Sequence, residues 1–391
     1  MMIQYKMDKA FEKICLLLLF LFAISFMNWA GYIICAVFFV FLFVVARYPL
    51  LLDRNFFILL FFSIFYYTNF TLNWGFGVKE TIWYLLAPWW CYLCGKWYVV
   101  YASGGDPLRK LTLILAGGFF LHGVLNVFAY VQTYGIVYVL STTYRITVDF
   151  WRGDVISVTA SSLYYVPLMT FAIGCLFLGS TKRGKAASWL VILLGALANV
   201  LYANRTAFVI IALLFVVGVI MILFRKNNVK AWVGVSMLTV VLAAVWTSDL
   251  GGLRSWVSGL RVVERFTGND MGRVSLWIDF LGSDWWRYPF GGNRIGQRYV
   301  HNLWLDILRT VGILPFLLLI VFTVCSLFDI KRFFKNCGRR DWVYGFMLAG
   351  ILLSCAVEPV MSANPYYVML WVMLMGGING MSLRPATLEE R

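Results

Sequence analysis

Apolar runs of about 16 to 24 residues recur from one end of this chain to the other, and that is the length a helix needs to cross roughly 30 Å of hydrocarbon. Too little polar surface remains between them for a water-soluble domain, because 62% of the 391 residues are hydrophobic and the mean hydropathy is +0.80. The runs do not alternate apolar with polar residues, as the strands of a closed barrel would. The expected fold class is therefore an all-α integral membrane protein, with residues 1–391 forming a single polytopic membrane domain.

Twelve transmembrane helices are predicted, at about 14–28, 30–46, 56–72, 80–101, 111–132, 156–179, 187–203, 206–224, 231–247, 303–327, 342–357 and 365–381. Lys and Arg test that register. The termini and alternate connections hold Lys6, Lys9, Lys13, Arg47, Arg54, Arg109, Lys110, Lys182, Arg183, Lys185, Arg225, Lys226, Lys230, the run from Lys331 to Arg340, Arg384 and Arg391. These are 20 of the 33 basic residues, all on one alternating side, as the positive-inside rule requires. Both termini are expected in the cytoplasm, and the net charge of +15 reflects topology rather than nucleic-acid binding. Lys13 and the apolar stretch after it imitate a signal peptide, but no small-residue cleavage site follows, so this is read as the first helix. Cys91 and Cys94 have redox-motif spacing without the strand-helix context that motif needs, and are read as packing residues. Two histidines and no Cys/His cluster point to no metal and no cofactor. The chain has no phosphate-binding glycine-lysine loop of the ATP-driven kind.

On the side opposite the positive charge, two connections are long, 133–155 and 248–302, and long ordered connections are where function concentrates. The second is the expected outer catalytic loop, containing short helices. It carries Arg254, Arg261, Arg265, Arg273, Arg287, Arg294 and Arg298 against five carboxylates, and no lysine. A guanidinium grips phosphate oxygens through paired hydrogen bonds and keeps its charge. Phosphate is thus the anion expected, the alternative being that these arginines pair with the loop's own acids. Arg273, Leu276, Trp277 and Phe280 share helical spacing, so a short amphipathic helix opens at Arg273. Pro289, Gly291 and Gly292 then end it and turn the chain back toward the membrane.

Three further residues stand out. Arg205 lies at an outer junction between two spans with almost no loop, where burying its charge costs about 2.5–3.5 kcal/mol at full membrane depth. It either snorkels to headgroups or binds a lipid-borne phosphate. His301 opens the tenth span, with Asn302, Asp306 and Arg309 down one helical face. An imidazole titrating near ~6.5 suits a general base, and Asp306 with Arg309 makes either a brace or direct chemistry. Glu358, beside Pro359 at an outer helix end, is a reserve candidate for substrate contact. His122, amid an apolar helix, is read as a packing or helix-helix hydrogen-bonding residue. The outer tryptophans, among them Trp74, Trp83, Trp151, Trp285 and Trp286, form an interfacial belt.

These motifs in this order resemble the bacterial O-antigen ligase/polymerase superfamily. The likeness rests on Asn204-Arg205-Thr206-Ala207, similar to that family's Ser-Arg-Thr-Ala; on Gly272-Arg273 with Trp277 and Pro289-Phe290-Gly291; and on His301-Asn302 with Leu305 and Gly312. It covers roughly residues 200–330, while the first half matches only in hydropathy. Asn204 in place of serine, Gly291-Gly292 in place of Gly-x-Gly, and Leu314-Pro315 in place of Pro-Gly depart from the pattern. The resemblance implies a donor glycan on undecaprenyl pyrophosphate, an acceptor hydroxyl, and transfer at the outer face of the inner membrane without metal or nucleotide. It makes Arg205, Arg273 and His301 the catalytic candidates. Arg265, Arg294, Arg298, Asn302 and Arg152 are the substrate-binding candidates. The acceptor is a second lipid-linked glycan for a repeat-unit polymerase, or lipid A-core for a ligase, with membrane lipid and a chain-length regulator protein as further partners. Polymerase is the preferred expectation, because the loop 133–155 offers Arg145 and Arg152 to a second polyisoprenoid phosphate. A transporter or flippase is the rival from another class, and would place its polar residues at mid-membrane; a non-enzymatic scaffold would leave the arginines and His301 unexplained.

Overall fold

The structure, a computed structural model, describes residues 7–27, 51–75, 77–141, 146–179, 181–202, 204–224, 237, 273–293, 299–338 and 341–383. Its helices are α1 (Lys9–Ala23), α2 (Arg54–Trp74), α3 (Ala87–Tyr101), α4 (Pro107–Tyr134), α5 (Val166–Leu178), α6 (Lys182–Leu201), α7 (Arg205–Leu223), α8 (Arg273–Leu281), α9 (Leu303–Val311), α10 (Ile313–Asn336), α11 (Trp342–Val357) and α12 (Pro365–Leu383). A π-helical turn, Thr81–Leu86, leads into α3, and a short helix, Val158–Ser162, precedes α5. Among the described residues, seven helical segments are long and apolar enough to cross a membrane, and α11 is a shorter apolar helix. The predicted spans at 30–46 and 231–247 lie outside the described residues.

α12 is the centre of the bundle. Trp371, Tyr367 and Met375 are fully buried, and α12 meets α3 backbone to backbone. A Cβ on Gly376 would come within 2.0 Å of the Tyr92 carbonyl oxygen, and one on Gly95 within 1.9 Å of that of Met373. Gly376 and Gly380 sit four apart, the small-residue spacing that lets membrane helices approach closely. The outer helices show the opposite pattern. On α10, Leu317, Val321, Val324 and Phe328 are each 45–62% exposed, as are Trp189, Leu193 and Leu197 on α6 and Val209, Leu213 and Val216 on α7. Leaving a large apolar side chain in water forfeits roughly 1.5–3 kcal/mol. Ten such residues would forfeit tens of kcal/mol, so these stripes belong against lipid tails.

Polar residues collect at the two ends of the bundle. At one end Asp53 caps α2 by accepting from the Phe56 N–H at 3.0 Å. It also takes Tyr92 Oη at 2.8 Å and the buried Lys96 Nζ, while Asn55 donates to Asp329 at 2.7 Å. At the other end, between α4 and α5, lies a two-stranded antiparallel hairpin of β1 (Ile146–Val148) and β2 (Val155–Ser157), an element that hydropathy did not anticipate. Its turn is tied down by Phe150 N–H to Asn126 at 2.9 Å and by Trp151 Nε1 to the Ile24 carbonyl at 2.7 Å.

The predicted tenth span needs correction. Residues 303–327 are not one helix: α9 ends at Val311, Gly312 adopts φ +90°, and a separate helix α10 begins at Ile313. His301 and Asn302 therefore precede a nine-residue helix rather than a full span.

Candidate active site

The second polar end is organised around Glu358, the residue that terminates α11 and is 1% exposed. A buried carboxylate at a membrane-protein helix end needs several partners, and three separate elements supply them. From α7, Thr206 Oγ1 donates to Glu358 Oε1 at 2.7 Å. From α8, Arg273 Nη2 donates to the same oxygen. From the turn before α9, His301 Nδ1 lies 3.4 Å from Oε2, at the long end of hydrogen-bond contact.

Each partner is positioned by local sequence. Asn204 caps α7, its Oδ1 accepting from the N–H groups of Thr206 at 2.8 Å and Ala207 at 3.3 Å, while its Nδ2 donates to Ser162 Oγ. Asn204 thus both caps the helix and cross-links it to the segment before α5. Arg205 is the first residue of α7, half-buried and adjacent to Thr206. Asn302 caps α9 through Leu305 N–H at 3.1 Å and donates from Nδ2 to the Ala356 carbonyl at 2.9 Å. That bond fastens the start of α9 to the end of α11, two residues before Glu358.

His301 has φ +53°, a left-handed backbone that costs a non-glycine residue energy unless its surroundings impose it. Here they do. Val300 N–H donates back to Asp306 at 3.0 Å on one side, and Asn302 holds the helix cap on the other. Asp306 in turn accepts Arg309 Nε at 3.3 Å, both residues being buried. The Asp306–Arg309 pair is thus a brace under the histidine turn. The imidazole remains 30% exposed, and its Nε2 has no partner among the described residues.

The stretch from α8 to α9 returns the chain as the sequence suggested, with one difference. α8 stops at Leu281, earlier than expected; Gly282 follows, and a 3-10 turn spans Trp285–Arg287 before Pro289. Trp277 and Phe280 pack with Val300 and Leu308, so α8 lies against the histidine turn. The following loop then docks on the α9–α10 corner. Gly292 N–H and Asn293 N–H bond the carbonyls of Thr310 at 3.1 Å and Arg309 at 3.2 Å, and Ile313 N–H bonds that of Pro289 at 2.9 Å. From α2, Asn69 and Asn73 donate to the Val311 and Phe290 carbonyls at 2.7 and 2.8 Å. These bonds occupy the carbonyls at the end of α9, which would otherwise lack partners.

The structure brings Arg273, His301 and Asn302 together with Glu358, and places Arg205 one residue from the cluster. Arg265, Arg294 and Arg298 lie outside the described residues. Arg152 sits in the turn of the hairpin, 3.8 Å from Asp154. His122, buried in α4, faces a loop carboxylate rather than another helix: its Nε2 is 3.3 Å from Asp149 Oδ2. Burial raises the Asp149 carboxyl, but His122 and the N–H groups of Arg152 and Trp151 outweigh it, and the group is held below its ordinary range. The residue that sequence reasoning undervalued is Glu358. Its one signal was an isolated acid beside Pro359 at the end of an apolar helix.

Chemically, the cluster offers a guanidinium for an anion and an imidazole with one nitrogen toward a carboxylate and the other outward, the orientation that presents a base to a hydroxyl group. Compared with known proteins, the chain is matched by no family model and by no curated protein.

Proposed function

We propose that this protein is a membrane glycosyltransferase that polymerises surface-polysaccharide repeat units, moving a glycan from undecaprenyl pyrophosphate to a sugar hydroxyl. The observation that carries the proposal is the convergence of Arg273 and His301 on the buried Glu358, at the bundle end opposite the Asp53 and Asp329 network. In this reading the chain has twelve spans, both termini are cytoplasmic, and 248–302 is an outer catalytic loop. The Glu358 cluster then lies on the outer face of the bacterial inner membrane, where lipid-linked glycans are displayed.

The acceptor oxygen attacks the anomeric carbon, its proton passes to His301 Nε2, and the carbon–oxygen bond to the pyrophosphate breaks with inversion. Arg273 and Arg205 stabilise the charge that develops on the departing pyrophosphate. Charge-assisted hydrogen bonds of this kind contribute about 1.5–3 kcal/mol each, and a positioned base about 10²–10⁴ in rate. Glu358 holds both groups in place.

The test is transfer by purified protein in nanodiscs, supplied with a lipid-pyrophosphate repeat unit with and without lipid A-core, alongside His301→Ala and Arg273→Ala. A product ladder from the donor alone, lost in both variants, is the expected result. Product only with lipid A-core would make the protein a ligase, and no transfer from authentic substrates would favour a transporter.

A further inference from the structure

Near the end of α2 lies a cleft of about 540 Å³, within the roughly 300–1,000 Å³ range of small-molecule sites. Its walls are Phe70 and Trp74 from the end of α2, Tyr84 from the π-helical turn, Tyr299 from the segment before α9, and Arg309 from the last turn of α9. Tyr299 precedes His301 by two residues, and Ser362, also on the wall, follows Glu358 by four. The cleft thus takes two of its wall residues from the chain segments that carry His301 and Glu358, while Arg205 and Arg273 belong to α7 and α8.

The donor set is specific. Arg309 is held by Asp306 through Nε alone, with its guanidinium 5.7 Å from the Tyr299 ring centre. Among the described residues the guanidinium's one hydrogen bond is this Nε contact, and Thr310 Oγ1 is buried without a hydrogen-bond partner among them. An immobilised fork of N–H donors among aromatic faces suits a pyranose. The ring's C–H face lies on an aromatic π-face, and adjacent hydroxyls bridge the guanidinium. A polyprenyl chain would leave those donors unpaired, at the cost of desolvating them.

We propose that this cleft binds a sugar ring of the acceptor glycan and delivers its hydroxyl to His301. This rests on the glycosyl-transfer reading but is tested without transfer. The probe is glycan released by mild acid from the source bacterium's own polyprenyl-linked oligosaccharides, titrated calorimetrically into the full-length protein in nanodiscs. Tyr299 is half exposed, so it can be altered without opening the core. Tyr299→Ala is expected to weaken glycan binding about tenfold, and Arg309→Lys, which keeps the charge but loses the fork, to weaken it as well. Tyr299→Phe is expected to retain the wild-type affinity, and undecaprenyl phosphate to bind wild type and Tyr299→Ala alike. Equal glycan affinity in wild type and Tyr299→Ala would overturn the proposal. So would a loss confined to undecaprenyl phosphate, which would make the cleft a lipid groove. Glycan binding that depends on Tyr299, with no transfer in any mixture, would overturn the transferase reading and leave the sugar site standing.

Discussion

Arg273 and His301 announce themselves in sequence because charge and imidazole are costly in an apolar chain, so their presence demands a reason. Glu358 does not, since a single acid carries no pattern. Its importance arises only when α7, α8 and the α9 turn, separated by tens to more than a hundred residues, converge on one carboxyl group. That convergence has a consequence for binding. Arg273 is already committed to Glu358 Oε1, so under the proposed function a pyrophosphate would have to compete with that carboxylate. Glu358→Gln keeps the shape and removes the charge, leaving Arg273 more available to the donor while loosening its alignment and that of His301. We expect kcat to fall about 10²-fold with no rise in KM for the lipid-pyrophosphate donor, measured by steady-state transfer. A raised KM at unchanged kcat would instead make Glu358 a substrate-binding group.

Among the described helices, ends bounded by charge or a cap were legible to within about five residues: Asp106 and Pro107 start α4, and Asn204 starts α7. Breaks inside apolar sequence were not. Gly312 lies between Val311 and Ile313, so hydropathy runs straight through the corner, and only backbone geometry shows it. A Cβ there would come within 2.1 Å of the Pro289 carbonyl oxygen at φ +90°. Gly312→Ala is therefore expected to lower stability by about 2–3 kcal/mol or more and to displace the loop from Pro289 to Asn293, read out as a lowered unfolding temperature together with lost transfer. The hairpin was invisible for a related reason: each of its strands has three residues, and its stability comes from anchors on α1 and α4. One of those anchors makes a pH prediction. The folded-state Asp149 carboxyl is held below its ordinary value near ~3.9. Its stabilising contribution is thus present above about pH 4 and is lost as pH falls through the lower folded-state value. Below about pH 4 the unfolding temperature of the wild type should fall more steeply than that of Asp149→Asn, whose side chain carries no charge to lose. Parallel curves would show that the His122–Asp149 contact adds nothing to stability.

For the whole molecule, hydropathy and the Lys/Arg alternation were read from sequence, and the structure shows where the polar contacts of the described helices gather. Asp53, Lys96, Asn379 and Asp329 meet at one pole of the bundle, while Asn204, Ser162, Thr206 and Glu358 meet at the other. The exposed apolar stripes of α6, α7 and α10 run between the two poles. The contacts do not distinguish the two sides of the membrane; charge alone assigns them, and that assignment decides the chemistry. A lipid-linked glycan is reached by His301 only if the Glu358 pole faces outward. Val155 in β2, 55% exposed, lies beside that pole, and Gly104, where an added Cβ meets nothing within 4 Å, lies at the other. In a background without the native cysteines, a membrane-impermeant maleimide should label Val155→Cys on spheroplasts and reach Gly104→Cys only after the membrane is permeabilised. The reverse pattern would put Arg273 and His301 in the cytoplasm, where nucleotide sugars are the available donors, and polymerisation from undecaprenyl pyrophosphate would have to be abandoned.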